Sequence, residues 1–530
     1  MGAISWGFKS PLPHHIEMVK RDPITLSVLR DWAILGLAVV ACAAWFLYAE
    51  HRITGGEWGF SLDDSWIYAT FARNIATGNG FSFNPGEPIA GATGPLYAFT
   101  LALLYALFRD VVMPAKVLGI ACLGASSILM YSAVRSLDPR RRLKPLLAGL
   151  LVGISPSLVW GAVSGMEIPA YILVACLGIY AYTKERWTLA AFWWSLGVWI
   201  RPDGLLLALA GIFLRPKPTR KGLTASLAAA APALLTFFAF NFIVGGAIFP
   251  NSVLVKTHPG QSVGPGLWEM VREWTPLWGL AMRPRDFPTH SLLLLPTMIA
   301  GALLMSRRLP AIGAFAIGLP LALALAGATG GSHGRYLMPA IPFGVLLAVE
   351  GMDYLNQRFP RRWRRVGLAV LAGLSLAWQI GPLVRMGMLH GWNVENINHM
   401  QRFLAGTMRE NASPGDTIAV NDVGAMGYFS GCYVVDLVGL VSPRRTFPEN
   451  LRTYHPRYLV IFPSWYRSYL VVDPGARHSK IYDPDSTFKY LPVAGAGLRF
   501  NTICSRDQMF VFARFQPQAE EPVKVKMIWH

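Results

Sequence analysis

The sequence has 530 residues, of which 53% are hydrophobic and 15% are charged, with a mean hydropathy of +0.38. One soluble core cannot bury that much apolar surface, so the composition predicts a polytopic α-helical membrane protein. The net charge of +18 would suit nucleic-acid binding in a soluble protein, but the basic residues cluster in short runs between apolar segments. Such runs follow the positive-inside rule, so they indicate topology, and no nucleic-acid partner is expected.

The N-terminal segment, residues 1–31, is polar and basic, which predicts that it stays in the cytoplasm. The first apolar run, residues 32–49, follows a long polar segment and has no small-residue cleavage site, so it should remain as a signal anchor. This run crosses outward and places the first outer loop, residues 50–112, on the far side of the membrane.

Two apolar stretches follow, residues 95–108 and 113–134, and only one of them can cross. The second ends in the basic sequence RSLDPRRRLK, which must reach the cytoplasm. The first is short for a span, so we predict an interfacial helix within the first outer loop.

Apolar runs and basic inner ends then alternate regularly. The predicted spans are 146–163, 169–183, 188–200, 203–215, 222–244, 290–306, 309–327, 338–356 and 366–384. With the two earlier spans this gives about eleven, a transmembrane domain over residues 32–384, and a C-terminus outside. The helices on either side of the turn RPDG are short, so that turn should lie within the membrane depth and line a cavity.

The last segment, residues 385–530, has the composition of an extracytoplasmic α/β domain. A helix is predicted over ENINHMQRFLAGTMREN, followed by the strand-like runs DTIAVND, YVVDLVG, RYLVIFP, FNTICS and MFVFARF. Cys432 and Cys504 lie here without metal-type spacing and can form a disulfide in an oxidising compartment.

The first outer loop holds two adjacent carboxylates, Asp63 and Asp64, in front of an amphipathic helix that should stop at Gly78. A helix N-terminus favours the ionised carboxylate, the form that accepts a proton or holds a cation. The alternative is structural, because Ser61 and Asp63 are both residue types that cap helices.

Other ionisable residues are predicted at the outer mouths of the spans, where charge is costly and usually serves an ion, a substrate or a partner. They are Arg73, Glu87, Glu167, Arg201, Asp203, Lys256, His258, His333 and Arg335, and the polar Asn84 lies in the same loop. Carboxylates beside cations suit a substrate that carries a phosphate and a hydroxyl. Alternatively, Arg201 and Asp203 pair with each other, and His333 is only a hydrogen-bonded interfacial residue.

The chain has no Walker loop, no Gly-rich dinucleotide loop after a strand, and no paired-Cys or HExxH metal site. A soluble nucleotide cofactor is therefore unsupported. An activated donor should reach the site from within the membrane, as a lipid-borne substrate.

Several motifs occur in a specific order: DDSWIYATFARNIATGNGFSFNPGE, AGATGPLYAF, SGMEIP, RPDG, FPNSVLVK, GRYLMP and VNDVGAMGYFSGCYVVDLVGLVSP. In this order the chain resembles the GT-C superfamily of polyprenyl-phosphate-sugar-dependent glycosyltransferases over about residues 60–465. Within it the chain most resembles the branch with the mycobacterial terminal arabinofuranosyltransferases, and more distantly protein mannosyltransferases and the lipid A aminoarabinose transferase.

The resemblance implies an inverting transfer from a polyprenyl-phosphate sugar to an acceptor hydroxyl at the outer face of a bacterial plasma membrane. Asp63 would then be the general base with Asp64 beside it. Arg201, Lys256 and Arg335 would bind the lipid phosphate, and the remaining candidates would bind substrate. The acceptor would be a cell-envelope glycan or glycolipid, bound or oriented by the C-terminal domain.

A lipid monophosphate can be balanced by Arg and Lys, so no metal cofactor is expected. With a pyrophosphate donor, Asp63 and Asp64 could instead hold Mg²⁺ or Mn²⁺. Two rival functions remain: a lipid-linked sugar transporter or flippase, for which intramembrane charges are also expected, and a noncatalytic protein of the same fold that only binds the lipid-linked sugar.

Overall fold

A computed structural model describes residues 26–256, 294–326, 332–413, 415–471, 480–482, 488–516 and 526–529. His258, one of the predicted substrate-binding residues, lies outside these ranges. Lys256 ends a described helix, but its side chain is outside the described part of the structure.

Among the described residues up to 411, every regular element is a helix. The helices are α1 Leu26–Ile53, α2 Asp63–Ala76, α3 Pro95–Phe108, α4 Val112–Leu137, α5 Leu143–Gly153, α6 Pro156–Val163, α7 Ile168–Thr183, α8 Trp187–Leu196, α9 Gly204–Phe213, α10 Arg220–Gly245, α11 Asn251–Lys256, α12 Leu294–Met305, α13 Pro310–Leu325, α14 Ile341–Gln357, α15 Arg364–Ile397 and α16 Phe403–Asn411. The predicted interfacial helix, residues 95–108, coincides with α3.

Five helices in the described part are long and apolar enough to cross a membrane, and a sixth is formed if α5 and α6, bent by 49°, act as one span. The five are Leu26–Ile53, Val112–Leu137, Arg220–Gly245, Ser332–Gln357 and Val366–Asn411. Other predicted spans coincide with apolar helices of 10–17 residues, among them α7, α9 and α13. The chain therefore has the helices of a membrane protein, and the total of eleven spans stays a prediction.

Helix α2 carries the two adjacent aspartates in its first turn, and its N-cap position is Leu62, which makes no side-chain capping bond. The structural alternative, in which Ser61 or Asp63 caps this helix, is therefore wrong. The predicted stop is close, because Thr77 is the C-cap and Gly78 follows with a φ of 84°, a left-handed conformation that favours glycine.

Helix α15 runs through the predicted boundary between residues 384 and 385 without interruption. It continues through a π-helical segment, Asn398–Arg402, into α16, as predicted for residues 395–411. The last long apolar helix and the C-terminal domain thus share one continuous helical segment.

The C-terminal domain contains α17 Gly424–Phe429, α18 Phe447–Tyr454 and an eight-stranded sheet of order β2-β1-β3-β7-β6-β5-β4, with β8 paired to β6. The strands are β1 Thr417–Val420, β2 Tyr433–Asp436, β3 Tyr458–Ile461, β4 Leu470–Val471, β5 Lys480–Tyr482, β6 Lys489–Gly497, β7 Gln508–Phe515 and β8 Lys526–Trp529. Strands β1, β2 and β3 are parallel, so their carboxyl ends meet at one edge of the sheet.

Four of the five predicted strand runs form strands, and FNTICS does not. In that segment the side chain of Asn501 accepts hydrogen bonds from the backbone N–H groups of Ile503 and Cys504, which holds a turn. The long strand β6 was not predicted, because its sequence KYLPVAGAG is rich in residues with low strand propensity. All five cysteines are free in the structure, including Cys432 and Cys504, for which the sequence left a disulfide open.

A buried ionic cluster joins three helices away from the sequence-predicted site. Glu50 of α1 accepts hydrogen bonds from Lys116 Nζ of α4 at 2.5 Å and contacts His390 Nε2 of α15 at 2.8 Å, and all three side chains are fully buried. The other oxygen of Glu50 accepts the backbone N–H of Gly59 at 3.2 Å. This cluster therefore holds the start of the first outer loop against the helix bundle.

We expect Lys116→Met to lower the free energy of unfolding by about 3–5 kcal/mol, because it leaves the buried Glu50 carboxylate without its cation. The double variant Glu50→Gln/Lys116→Met should recover most of that loss, since neither partner is then charged. The measurement is the midpoint of thermal unfolding in detergent for both variants. If Lys116→Met unfolds at the same temperature as wild type, Lys116 does not stabilise the buried Glu50 carboxylate as described.

Candidate active site

A cavity of about 250 Å³ lies where residues of the first outer loop, the ends of several helices and the C-terminal domain meet. Its lining combines charged and apolar side chains from all three parts of the chain. The lining residues are Asp64, Ile67, Tyr68, Gly91, Ala92, Thr93, Met166, Glu167, Arg201, Pro202, Asp203, Phe249, Ser252, Val253, Leu323, Ala326, Arg335, Tyr336 and Leu440.

Close packing shapes the floor of this cavity. A Cβ at Gly94 would lie 2.2 Å from the carbonyl oxygen of Ile200, so only glycine lets the segment after Thr93 approach the turn that carries Arg201. The backbone N–H of Gly94 donates to the Tyr68 hydroxyl at 3.1 Å. The first outer loop and the RPDG turn are thereby joined directly.

Arg201 pairs with two carboxylates on the cavity wall. Its Nη1 donates to Glu167 at 2.7 Å, and its Nε donates to Asp203 at 3.0 Å. The predicted pairing within the RPDG turn is therefore present, and Glu167 joins it. This group of three carries one net negative charge when all its members are ionised.

Arg335 pairs with Asp64 across the cavity, with Nη2 donating to the carboxylate at 2.6 Å. The Arg335 side chain is 9% exposed, and its Nε and Nη1 have no hydrogen-bond partner among the described residues. A buried guanidinium with unused donors is suited to an anion, because Arg binds phosphate through two parallel N–H groups.

Asp63 does not line the cavity; it binds the C-terminal domain. Its two carboxylate oxygens accept the backbone N–H groups of Gly424 at 2.7 Å and Ala425 at 2.8 Å, in the first turn of α17. A Cβ at Gly424 would lie 1.9 Å from the Asp63 carbonyl oxygen, so this approach also requires glycine.

Arg73 binds the other end of the same short helix. Its two terminal nitrogens donate to the carbonyl oxygens of Tyr428 at 2.6 Å and Gly427 at 3.1 Å. A carboxylate thus meets free N–H groups and a guanidinium meets free carbonyls, so each charge complements the end of α17 that it contacts. We call the contacts of Asp63 and Arg73 with α17 the α2–α17 clamp.

Three other predicted residues also lie away from the cavity. Asn84 exchanges two hydrogen bonds with the backbone of Val434 in β2, and Glu87 accepts the Tyr433 hydroxyl at 2.8 Å. His333 Nε2 lies 2.8 Å from the side-chain amide of Asn393 in α15. Asn84 and Glu87 therefore add to the attachment of the C-terminal domain, and His333 attaches its own segment to α15.

The structure places one further carboxylate close to the pair, and sequence reasoning did not single it out. Asp422 lies between β1 and α17, two residues before Gly424, and accepts Gln401 Nε2 at 2.9 Å. It belongs to the motif VNDVGAMGYFSG, which is one of the motifs that carry the family resemblance. An acidic residue inside such a motif could have indicated Asp422 from the sequence. Further missed lining residues are Tyr68, Thr93, Ser252 and Tyr336.

The carboxyls around the clamp hold protons more tightly than usual. Burial raises the pKa of Asp63 well above its ordinary range, and the Asp422 carboxylate adds to the rise, against the two backbone N–H bonds that lower it. Burial also raises the pKa of Asp422 to about 6, helped by Asp64 and Asp436.

Chemically, the cavity offers a carboxylate and a guanidinium side by side, with a paired Arg201 on the neighbouring wall. A carboxylate accepts a proton from a hydroxyl, and a guanidinium stabilises a phosphate. Within the described residues no group of three or more His, Cys, Asp and Glu side chains is arranged to hold a metal ion.

Comparison of the chain with known families gives one match: a family described as "Domain of unknown function (DUF8728)" covers residues 390–511. These residues include the C-terminal end of α15 and most of the C-terminal domain. Among curated proteins, none matches this sequence.

Solved structures share the fold. ArnT from Cupriavidus metallidurans in the apo state is 14% identical, with a TM-score of 0.53, over 92% of this chain and 98% of that one. The same protein bound to undecaprenyl phosphate is 14% identical, with a TM-score of 0.51, over 91% of this chain and 98% of that one. The Archaeoglobus fulgidus oligosaccharyltransferase in complex with Zn and sulfate is 12% identical, with a TM-score of 0.53, over 80% of this chain and 67% of that one. The fold of this chain therefore resembles that of ArnT and of the oligosaccharyltransferase.

We expect Asp63→Asn to loosen the α2–α17 clamp, because an amide replaces one acceptor oxygen with a donor that faces another donor. A buried donor left without an acceptor costs about 1–3 kcal/mol, so exchange of the Gly424 and Ala425 amide hydrogens should speed up about 10- to 100-fold. Hydrogen–deuterium exchange measured by mass spectrometry checks this. Asp416→Asn, in an exposed turn of the same domain, is the control and should leave that peptide unchanged.

The raised pKa of Asp422 predicts a pH-dependent effect of Asp422→Asn. A carboxyl whose pKa rises from 3.8 to about 6 on folding stabilises the fold fully below pH 3.8, and this contribution is lost as the pH rises through 6. The variant should therefore unfold at a higher temperature than wild type at pH 8, but not at pH 4.5. An equal difference at both pH values would contradict the assignment.

Proposed function

We propose that this protein is a membrane glycosyltransferase that moves a sugar from a polyprenyl-phosphate donor to an acceptor hydroxyl. The observation that carries the proposal is the pairing of Asp64 with the partly unsatisfied Arg335 inside one cavity. The fold shared with ArnT and the oligosaccharyltransferase supports it, and so does the complex of ArnT with undecaprenyl phosphate.

A lipid-borne donor suits the shape of the transmembrane part. Leu323 of α13 and Ala326, directly after this helix, line the polar cavity, and Phe315 and Leu319 of α13 line a second, apolar cavity against α9. The polar cavity also contains Asp203, directly before α9. An apolar chain can therefore lie between α9 and α13 while its phosphate reaches Arg335.

In this proposal Asp64 is the general base and Asp63 is the structural residue, the reverse of the roles expected from the sequence resemblance. Asp64 lines the cavity, whereas both oxygens of Asp63 are already used by α17. Deprotonation of the acceptor hydroxyl by Asp64 would let the oxygen attack the anomeric carbon as the bond to the lipid phosphate breaks, with inversion.

Arg335 would change partners during the reaction. Free of donor, it neutralises Asp64; with donor bound, its guanidinium would move toward the phosphate leaving group and release the carboxylate for the acceptor. Arg201 is already paired with Glu167 and Asp203, so its role would be to shape the cavity wall. Lys256 and His258 are proposed to add positive charge for the phosphate.

We propose a metal-free reaction, since the oxygens of Asp63 and one oxygen of Asp64 are hydrogen-bonded to protein donors.

We propose an extracytoplasmic site in a bacterial plasma membrane and a cell-envelope glycan or glycolipid as acceptor. The sugar is proposed from the sequence resemblance alone, with arabinofuranose first among the pentoses and hexoses to test.

The experiment is transfer by the purified protein in detergent from radiolabelled polyprenyl-phosphate sugars, arabinofuranose included, to short alkyl glycosides. We expect Asp64→Asn to lower the rate about 10²- to 10⁴-fold, as loss of a general base does, and Asp63→Asn to lower it less. Transfer should survive EDTA.

Other outcomes would redirect the assignment. Loss of transfer on chelation would make the aspartates metal ligands. A larger loss for Asp63→Asn than for Asp64→Asn would restore Asp63 as the base. No transfer from any donor, together with lipid translocation in liposomes, would indicate a transporter.

A further inference from the structure

The last long apolar helix, α15, shows how deep the chain lies in a bilayer. Residues 366–384 carry no charged side chain, and Arg364 and Arg385 flank them. At about 1.5 Å per residue this stretch is roughly 28 Å long, close to the ~30 Å of a bilayer hydrocarbon core. The two arginines therefore mark the two boundaries of the core.

One face of this helix is exposed along its length. Its exposed large apolar side chains are Val366, Val370, Leu374, Trp378, Ile380, Val384, Met388 and Trp392. At 100° per residue these positions fall within one broad stripe, as expected for a face that contacts lipid. The stripe continues past Arg385 to Trp392.

Trp392 lies seven residues beyond Arg385, roughly 10 Å further along the helix axis. Its Cα–Cβ bond points back toward the helix N-terminus, so the ring lies closer to the core than its Cα does. This depth is that of the headgroup layer, where Trp is enriched in membrane proteins.

A loop of the C-terminal domain reaches the same place. Phe500, between β6 and β7, is 55% exposed, and its ring centroid lies 5.2 Å from that of Trp392. The loop is fixed to α15, because Asn396 donates to the Phe500 carbonyl at 2.9 Å and accepts the N–H of Thr502 at 2.7 Å. Arg499, next to Phe500, is also exposed.

We propose that Trp392 and Phe500 insert together into the headgroup layer of the leaflet that faces the C-terminal domain, with Arg499 at the lipid phosphates. The partner is the bilayer itself, since this aromatic pair continues the lipid-facing stripe of α15 without a break. The contact would hold the C-terminal domain against the membrane itself, in addition to its attachments to the first outer loop and to α15.

The test uses a spin label at Phe500→Cys in the full chain, with Cys432→Ser and Cys504→Ser to remove the partly exposed thiols. The protein is reconstituted in phosphatidylcholine–phosphatidylglycerol vesicles, and collision of the label with oxygen and with the water-soluble nickel complex NiEDDA is measured. We expect at least a several-fold higher ratio of oxygen to nickel accessibility than at the control position.

The control is Arg452→Cys, exposed near the C-terminal end of α18. This helix runs from the carboxyl end of β2 toward the amino end of β3, so position 452 lies on the edge of the parallel strands away from the clamp. A second label at Arg499→Cys keeps the test independent of replacing Phe500, and it should report headgroup depth.

Equal accessibility at positions 500, 499 and 452 would overturn the proposal. A protein partner on this patch would appear as low collision with both reagents at positions 499 and 500, and would also overturn it. The measurement needs no donor or acceptor, so its result is separate from that of the glycosyl-transfer assay.

Discussion

The arrangement of the site depends on one carboxylate, that of Asp63, which accepts two backbone N–H groups at the start of α17. Arg73 completes the contact at the other end of that helix. Separating these groups would leave buried backbone N–H and C=O groups without hydrogen-bond partners, which costs free energy. The clamp therefore fixes the C-terminal domain against the first outer loop. The domain in turn supplies Leu440 to the cavity wall, so the cavity is complete only while the domain is docked.

The clamp also explains why two adjacent aspartates have different surroundings. Neighbouring residues on an α-helix point about 100° apart, so side chains at positions 63 and 64 cannot share one environment. Once Asp63 faces α17, Asp64 is directed to the cavity, where Arg335 meets it. The order of the two residues in the sequence carries no sign of this difference, because it is set by a helix more than 350 residues further along the chain.

Local patterns predicted much of the fold. Apolar runs located the helices, since burial in lipid or protein requires them, and four alternating runs located strands of the distal sheet. The patterns failed where side chains bind distant backbone. Arg73 and Asn84 look like ligand-binding residues in a polar loop, yet their hydrogen bonds go to α17 and β2. Long-range pairing of this kind leaves no local periodicity to detect.

The candidate site was predicted in part for a similar reason. Charge near hydrocarbon is rare, so Asp64, Glu167, Arg201, Asp203 and Arg335 stood out, and the structure brings all five to one cavity. Their pairing could not be predicted, because it depends on which helix ends meet. Asp422 was missed since an acidic residue in a soluble-type domain is ordinary until the fold places it beside Asp63.

Charge balance limits what the cavity can bind. In and beside it stand five carboxylates, on Asp63, Asp64, Asp422, Glu167 and Asp203, against the guanidinium groups of Arg201 and Arg335. Protonation of Asp63 or Asp422, whose pKa values are raised, reduces the excess of negative charge. A lipid phosphate would add further negative charge. Its charge must therefore be compensated, either by a cation that moves from a carboxylate to the phosphate or by uptake of a proton. Arg335 is suited to the first role, because it has unused donors and a partner, Asp64, that a hydroxyl can replace. In the proposed reaction, binding of the anion and release of the Asp64 carboxylate are then one electrostatic event, which would keep the proposed base neutralised until a donor is present.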